Sequence, residues 1–222
     1  MHACKQSPGM HTTGTMMTES LNILVLYYST TGHTKNMANA IALGIESTGV
    51  AEAVLRCVPE VSATSAQTSP AVPDQGAPYA SQEDFERCDG LAMGSPTHFG
   101  NMAAPLKYFL DQTGPAWFSG AMVNKPFTVF TSTGSLHGGQ ESTLLSMMLP
   151  CIHHGMIYAG LPYTEQALHQ TQTGGSPYGA THWSQNNTQH QLSPHEKSLC
   201  VAMGKRLAQL AYKLRSPMPS TA

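Results

Sequence analysis

The chain has 222 residues, a length that favours one domain built on a single core. Only 11% of the residues are charged, and 11 Lys and Arg against 13 Asp and Glu give a formal net charge of -2. This composition argues against binding of nucleic acid or of an anionic membrane, and it lacks the acidity of a redox shuttle that docks on basic partners.

The cysteines, the histidines and the first 20 residues indicate the cellular compartment and argue against a disulfide framework, a metal site and a signal peptide. Five cysteines stand at positions 4, 57, 88, 151 and 200 without a C-x-x-C pair, which favours a reducing cytoplasm over a disulfide framework or a zinc site. Eleven histidines form neither H-x-x-x-H nor H-E-x-x-H, so no metal site is expected. Residues 1–20 lack a signal-peptide core and are predicted to form a disordered leader. No apolar run approaches the roughly 20 residues that cross a bilayer.

The first third of the chain is predicted to form strand, loop, helix and strand. Residues 21–28 (LNILVLYY) are a continuous apolar run, as in a strand buried on both faces of a parallel sheet. A loop of small and hydroxyl residues follows at 29–34, and Met37, Ile41 and Ile45 then mark one face of a helix that ends near Gly49. Residues 51–58 predict a second strand, and the polar stretch 59–80 predicts a long surface loop.

The remaining sequence continues the alternation of helices and strands. The predicted elements are a short acidic helix, a third strand at 88–94, a helix at 102–112, a fourth strand at 127–131, a helix at 140–153, a fifth strand at 155–159, an extended polar loop at 161–193, a final helix from Pro194 and a tail at 216–222. This order predicts an α/β fold, with a right-handed, doubly wound, five-stranded parallel sheet and helices on both faces.

The loops that follow strands one, three and four are rich in Gly, Ser and Thr. In a doubly wound sheet these loops meet at the carboxyl ends of the strands, where ligands bind. The loop at 29–34 also leads into a helix N-terminus, whose free N–H groups and dipole favour an anion. Because the loop contains no Lys and neither nucleotide-binding glycine motif is present, a phosphate monoester held by neutral donors fits better than a dinucleotide or a nucleoside triphosphate. The alternative interpretation is an ordinary hydroxyl-rich turn that caps a helix.

Six ordered segments carry a resemblance to a known family. They are YYSTTGHT (27–34), GSPTHFGNM (94–102), LKYFLDQTG (106–114), STGSLHGGQE (132–141), HHGM (153–156) and PYGAT (177–181). These segments closely resemble the WrbA-type NAD(P)H:quinone oxidoreductases of the flavodoxin-like superfamily, and the match covers residues 21–215 apart from the two long loops. The resemblance implies a cytoplasmic homotetramer that uses FMN to transfer two electrons from NADH or NADPH to a quinone by a ping-pong mechanism.

The resemblance also implies roles for individual residues. The FMN phosphate would be held by Ser29, Thr30, Thr31, Gly32, His33 and Thr34, with Thr31 also touching the nicotinamide nucleotide. The isoalloxazine and the ribityl chain would be bordered by Thr97, His98 and Phe99 on one side and by Ser132, Thr133, Gly134, Ser135, Leu136 and His137 on the other. His153 would lie beside the ring, and Trp117 would form the aromatic wall of the quinone pocket. No side chain is expected to be catalytic, because the flavin carries the electrons.

The sequence departs from the family pattern at two site positions. The loop GSLHGG is one residue longer than usual, which leaves open whether Leu136, His137 or Gly138 faces the flavin. His98 stands where many members carry Arg, and histidine titrates near neutrality whereas arginine stays charged. Two other functions remain alternatives: a flavodoxin-like electron carrier without its own substrate, and a regulatory FMN-binding protein that interacts with another protein.

Overall fold

The computed structural model describes residues 20–64, 70, 72–185 and 191–215. Residues 1–19 of the predicted leader and the predicted tail at 216–222 lie outside the described residues. The strands are β1 (Leu21–Tyr27), β2 (Ala51–Cys57), β3 (Gly90–His98), β4 (Asn101–Met102), β5 (Pro126–Thr133), β6 (Ile157–Tyr158) and β7 (Ala180–Trp183). The helices are α1 (His33–Glu46), α2 (Gln82–Arg87), α3 (Ala104–Asp111), α4 (Gly114–Ser119), α5 (Gln140–His153), α6 (Ala167–Gln170) and α7 (Pro194–Leu214).

A parallel sheet with the strand order β2-β1-β3-β5-β6 forms the centre of the molecule. Val25 of β1 is in register with Ala92 of β3, and Leu91 of β3 is in register with Phe127 of β5. Because these neighbouring strands are parallel, the loops that leave β1, β3 and β5 emerge at the same edge of the sheet. The predicted doubly wound, flavodoxin-like architecture is confirmed.

Helices cover both faces of the sheet and divide the core into two layers. Along β1, Leu24 and Leu26 point into the layer that contains α2, α3 and α5, whereas Ile23 and Val25 point into the layer formed with α1 and α7. Burial on both faces explains why the strands have continuous apolar sequences rather than alternating ones.

Two glycines allow α1 and α7 to pack backbone against backbone. A Cβ at Gly44 of α1 would collide with the carbonyl oxygen of Val201, and a Cβ at Gly204 of α7 would collide with that of Ile41. This close approach fixes α7 against α1, and α1 begins at the loop that follows β1. The packing of α7 therefore helps to fix the position of α1 and, with it, the loop that follows β1.

Several element boundaries differ from the predictions. The prediction of an extended loop at 161–193 is wrong, because α6 and β7 lie in it and β7 pairs in parallel with the end of β5. The fifth strand position is therefore shared by β6, at the start of β5, and β7, at its end. Both β3 and β5 extend further into their Ser- and Thr-rich segments than predicted, since these polar residues continue the sheet hydrogen bonding. No helix or strand element occurs in the described part of 59–80.

Candidate functional site

The first loop at the carboxyl edge runs from Ser29 to the start of α1. The Ser29 hydroxyl oxygen accepts hydrogen bonds from the backbone N–H groups of Gly32, at 3.1 Å, and of Lys35, at 3.3 Å. Gly32 precedes α1 with a φ of 93°, a left-handed conformation that glycine adopts without a steric penalty. Thr30 and Thr31 are exposed at the tip of the loop. The loop is thus held in shape from within, with its tip open to a ligand.

The second loop is the tight hairpin between β3 and β4. His98 and Asn101 pair across it, and Phe99 lies at the tip with a φ of 52°. Left-handed backbone is costly for a bulky side chain, and Phe99 is fully exposed within the single chain. The hairpin therefore presents a bare aromatic ring and exposed backbone at the edge of the sheet, which suits stacking against a flat ligand.

The third loop joins β5 to α5 and contacts the hairpin. Ser132 and Thr133 lie in β5 and are buried, while Gly134, Ser135 and His137 are exposed and Leu136 is half-buried. The Thr133 hydroxyl donates to the carbonyl oxygen of Ser135 at 2.9 Å and accepts from the Gln140 side-chain amide at 3.2 Å. These bonds fix the start of the loop against α5.

A small network of threonine hydroxyls locks β3, β5 and α5 together beneath the second and third loops. The Thr97 hydroxyl lies 3.2 Å from that of Thr131 and accepts a hydrogen bond from that of Thr143 at 3.1 Å. Thr131 donates to the carbonyl oxygen of Ser95 at 2.8 Å. Thr97, one of the predicted flavin contacts, is therefore held on a rigid base, as a binding site requires.

The residues of the three loops fit the phosphate and the ring of FMN. The first loop borders an open cavity of about 380 Å³, to which Ser29, Thr30 and Gly32 contribute. No acidic side chain is present at 29–34, 97–101 or 132–139, and α1 has none in its first turn. A phosphate would meet N–H groups, hydroxyls and a helix dipole at the loop, and the cavity is also lined by one residue of each charge, Lys35 and Glu60.

His153 and Trp117 lie together but far from these loops in the same chain. The Trp117 indole N–H donates to the carbonyl oxygen of His153 at 2.9 Å, which joins α4 to the end of α5. The third loop leads into the beginning of α5, and the 14 residues of that helix span about 20 Å. Both side chains are exposed at the opposite edge of the sheet. Within a single chain, therefore, the predicted loop residues lie together, whereas His153 and Trp117 lie apart from them.

The neighbouring histidine has a structural role. His154 is buried, its Nε2 lies 2.8 Å from the Thr113 hydroxyl, and its ring packs edge-on against Phe85 at a centroid distance of 5.3 Å. Burial and the nearby His153 lower the pKa of His154.

The three buried thiols in the described part of the chain offer no alternative chemistry. Burial raises the pKa of Cys88 to about 12 and raises those of Cys151 and Cys200 further. Because the thiolate is the reactive form, these three side chains behave as small apolar groups. In the described part of the chain, no group of His, Cys, Asp and Glu has the arrangement of a metal site.

A buried cluster of two histidines and a glutamate beneath the first loop was not predicted. His33 Nδ1 lies 3.1 Å from His182 Nε2, and His182 Nδ1 lies 2.9 Å from Glu196 Oε2. Burial by itself raises the pKa of Glu196, but hydrogen bonds from His182, Trp183 and Ser193 outweigh it and lower the pKa to about 2. The sequence S-P-H-E at 193–196 does carry a capping-box signal for Glu196. Nothing in the sequence connects that glutamate with the two histidines.

Comparisons with known proteins agree with the fold and with the family resemblance. A family model described as NADPH-dependent FMN reductase matches residues 21–164. The chain is similar to a curated protein from Gluconacetobacter diazotrophicus named NAD(P)H dehydrogenase (quinone), with 43% identity over 195 residues that cover 86% of this chain and 98% of that protein.

Solved structures share the same architecture. The structure of a flavodoxin, WrbA-like protein from Agrobacterium tumefaciens matches with a TM-score of 0.62 and 24% identity, covering 88% of this chain and 100% of that one. A flavodoxin from the domain Archaea matches with a TM-score of 0.58 and 19% identity, covering 86% and 99%. At these identities the structures establish the flavodoxin-like fold. Among the described helices, none has the length and hydropathy needed to cross a bilayer.

Proposed function

The chain belongs to the NADPH-dependent FMN reductase family, and from this premise we propose that it is a WrbA-type, FMN-dependent NAD(P)H:quinone oxidoreductase of the cytoplasm. The observation that carries the proposal is the convergence of the three loops after β1, β3 and β5 on one edge of the sheet. The named relative, 43% identical over nearly its whole length, supports the choice of nicotinamide nucleotide and quinone as substrates.

We assign the binding of FMN to the three loops. The phosphate is held by the loop from Ser29 to Thr34 and the N-terminus of α1. The isoalloxazine would be held between the hairpin at Thr97, His98 and Phe99 and the third loop at 132–137. When bound, FMN accepts two electrons from NADH or NADPH and passes them to the quinone.

The side chains orient the reactants and exclude water. Phe99 would provide an aromatic surface for the ring, and the backbone N–H groups of the hairpin would stabilise negative charge at the ring edge. A single flat slot above the ring would admit the nicotinamide and then the quinone, which implies ping-pong turnover. Thr31, exposed at the tip of the first loop, would touch the nicotinamide nucleotide as it enters.

We further propose that the enzyme is a homotetramer and that a neighbouring subunit supplies Trp117 and His153 to each site. The length of α5, about 20 Å, separates His153 and its partner Trp117 from the third loop of their own chain, so we assign them to the flavin of another subunit. The face that carries them is apolar: Phe118 is 88% exposed, and Leu145, Leu149 and Ile152 form an exposed stripe along α5. A stripe of this kind is expected to be covered in an assembly.

The proposed function predicts a simple spectroscopic cycle. Purified protein should bind FMN, lose the visible flavin absorbance when NADH or NADPH is added, and regain it when benzoquinone follows. Steady-state rates should give parallel lines in double-reciprocal plots, since donor and acceptor use the same slot. Protein that binds FMN but is not reduced by either nucleotide would contradict the enzyme and favour the electron carrier.

Trp117→Ala should weaken quinone use more than flavin binding. Loss of an aromatic contact worth about 0.5–1.5 kcal/mol should raise the KM for benzoquinone about 2- to 10-fold, with the affinity for FMN unchanged. Trp117→Phe keeps an aromatic ring and should therefore leave the KM for benzoquinone close to the wild-type value. Phe118→Ala, next to it on α4, serves as the matched control. Equal changes in Trp117→Ala and Phe118→Ala would contradict a specific role of Trp117 in the quinone pocket.

A further inference from the structure

The open cavity of about 380 Å³ beside the first loop lies on the side of that loop that faces β2. It is lined by the ends of β1 and β2, by the first loop and by residues from 73–79. In the sheet, β2 is on one side of β1, whereas β3 and β5 are on the other. FMN that runs from the first loop to the hairpin and the third loop would extend toward β3 and β5 and would leave this cavity open. We refer to it as the β2-side cavity.

The wall of the β2-side cavity that faces the first loop is fixed by hydrogen bonds to the end of β2. The backbone N–H of Cys57 donates to the carbonyl oxygen of Pro78 at 3.0 Å, and the N–H of Ala80 donates to the carbonyl oxygen of Cys57 at 2.8 Å. The Cys57 thiol also donates to the carbonyl oxygen of Ala77 at 3.1 Å. Because this segment is bound to a strand, the cavity has a defined shape, as a binding site requires.

Lys35 of α1 supplies the positive charge of the β2-side cavity. A Cβ built at Gly76 would lie 3.4 Å from Lys35 Nζ and 3.9 Å from the Tyr27 hydroxyl oxygen, so the ammonium and the phenol face the same part of the wall. Among the described residues that line the cavity, Lys35 is the only Lys or Arg, and the ion pairs of the described part of the chain do not include it. Its ammonium is therefore available to bind an anionic group of a ligand.

The other groups of the β2-side cavity favour a nucleotide over a simple anion. Glu60 also lines the cavity, and its carboxylate would repel an inorganic anion but can accept hydrogen bonds from the hydroxyls of a ribose. Tyr79 is half-buried and offers an aromatic ring against which a flat base can pack. Phosphate, ribose and base together match the cation, the carboxylate and the ring, and the volume of the cavity lies within the range of small-molecule sites.

The position of the β2-side cavity indicates which nucleotide it would bind. Ser29, Thr30 and Gly32 line the cavity and also belong to the loop that is proposed to hold the FMN phosphate. A nicotinamide nucleotide that stacks its nicotinamide on the flavin must place its AMP half outside the flavin slot. The β2-side cavity adjoins the flavin site without being filled by FMN, so one dinucleotide could occupy the slot and the cavity together.

We propose that the β2-side cavity binds the AMP half of the nicotinamide nucleotide, with Lys35 paired with a phosphate of that half and with Glu60 and Tyr79 facing its ribose and adenine. The inference rests on the proposed function, because it requires that the protein uses NADH or NADPH. It makes Lys35 a specificity-determining residue, which distinguishes a dinucleotide from a donor that lacks the AMP half.

The first test compares electron donors with and without the AMP half. Lys35→Met keeps the apolar stem of the side chain and should raise the KM for NADH about 5- to 20-fold with kcat unchanged, since it removes one charge-assisted hydrogen bond. The KM for reduced nicotinamide mononucleotide, which has the same reactive ring, should change less than about twofold. Lys35→Arg retains the charge and should restore most of the affinity for NADH. Lys213→Met, in the last turn of α7, removes an equal charge elsewhere and should change neither KM.

NADPH identifies the phosphate that pairs with Lys35. An equal increase in KM for NADH and NADPH would place the ammonium at the diphosphate, and a larger increase for NADPH would place it at the 2′-phosphate. Both results support binding of the AMP half, whereas an unchanged KM for both dinucleotides would overturn it.

The second test measures binding without turnover, by isothermal titration calorimetry on the FMN-loaded protein. ADP should bind in competition with NADH, and Lys35→Met should weaken ADP binding about 5- to 20-fold without changing that of adenosine. In the wild-type protein the affinity for ADP, but not for adenosine, should fall as salt is added, which tests the ion pair even if Lys35→Met does not fold.

Three results would overturn the proposal. They are absence of ADP binding, an equal rise in KM for NADH and for the mononucleotide in Lys35→Met, and a loss of FMN affinity in Lys35→Met, which would place Lys35 at the FMN phosphate instead. A bound flavin that neither NADH, NADPH nor the mononucleotide reduces would contradict the proposed function itself.

Discussion

Replacement of Glu196 by Ala should reduce the free energy of unfolding by about 3–5 kcal/mol, because it removes a buried carboxylate and leaves the donors that it binds unpaired. One carboxylate oxygen accepts from the backbone N–H groups of Gly174 and Trp183, both at 2.9 Å. The other accepts from Ser193 N–H at 2.7 Å and from His182 at 2.9 Å. The side chain thus joins the start of α7, the end of β7 and the segment before it.

Urea unfolding followed by circular dichroism measures this loss of stability. In thermal unfolding, we expect Tm to fall by about 10 °C for a domain of this size. Glu141→Ala is the matched control, since Glu141 also lies in the first turn of a helix but is exposed. Its removal should cost less than about 1 kcal/mol, mainly through the helix dipole. Similar losses for the two variants would show that Glu196 acts only as a helix-capping charge.

The stabilisation by Glu196 should also depend on pH in a defined direction. Its folded-state pKa of about 2 lies below the ordinary value, so its ionisation favours the folded state. About 3 kcal/mol of stability is therefore present above about pH 4.5 and is lost as the pH falls toward 2. The difference in stability between the wild type and Glu196→Gln should be constant above about pH 5 and shrink at lower pH. A difference that grows on acidification would contradict this sign.

The sequence predicted the parallel sheet well because apolar runs buried on both faces leave a strong signal. Residues 21–28 and 140–153 correspond almost exactly in extent to β1 and α5. The strand at 180–183 was missed because its buried residues include Thr181 and His182, whose polarity suggests a loop. Thr181 forms a hydrogen bond with Gln140 and His182 forms one with Glu196. These partners are distant in the sequence, so a local sequence pattern cannot reveal them.

The candidate site was predictable only in part, for a similar reason. Loops that follow neighbouring parallel strands must meet, so the convergence of Ser29, Thr97 and Ser132 on one edge follows from the strand order. The distance between these loops and Trp117 depends on the direction of α3 and α5, which short motifs do not specify. The meeting of His33 of α1 with His182 and Glu196 depends on long-range packing, including that of α7 against α1, which no local motif specifies.

Gly139→Ala should weaken FMN binding about 30- to 150-fold, because the third loop and the hairpin touch at this glycine. Gly139 has a φ of 93°, and a Cβ there would lie 2.9 Å from the Cα of Gly100 and 3.0 Å from the Ser142 hydroxyl oxygen. The left-handed backbone costs about 1–2 kcal/mol for alanine. The added Cβ would also push the third loop away from the hairpin. Together the two effects should cost about 2–3 kcal/mol of FMN-binding free energy.

The same loop contains a matched control for this substitution. A Cβ at Gly134 would have open space around it, and Gly134 does not have a positive φ, so Gly134→Ala should change FMN affinity less than about threefold. Fluorescence titration of FMN gives both affinities, and thermal unfolding without FMN separates a site effect from loss of the fold. Since the phosphate is held by the first loop, Gly139→Ala should weaken riboflavin binding by the same factor as FMN binding. A loss confined to FMN would place the third loop at the phosphate and contradict the assigned orientation of the flavin.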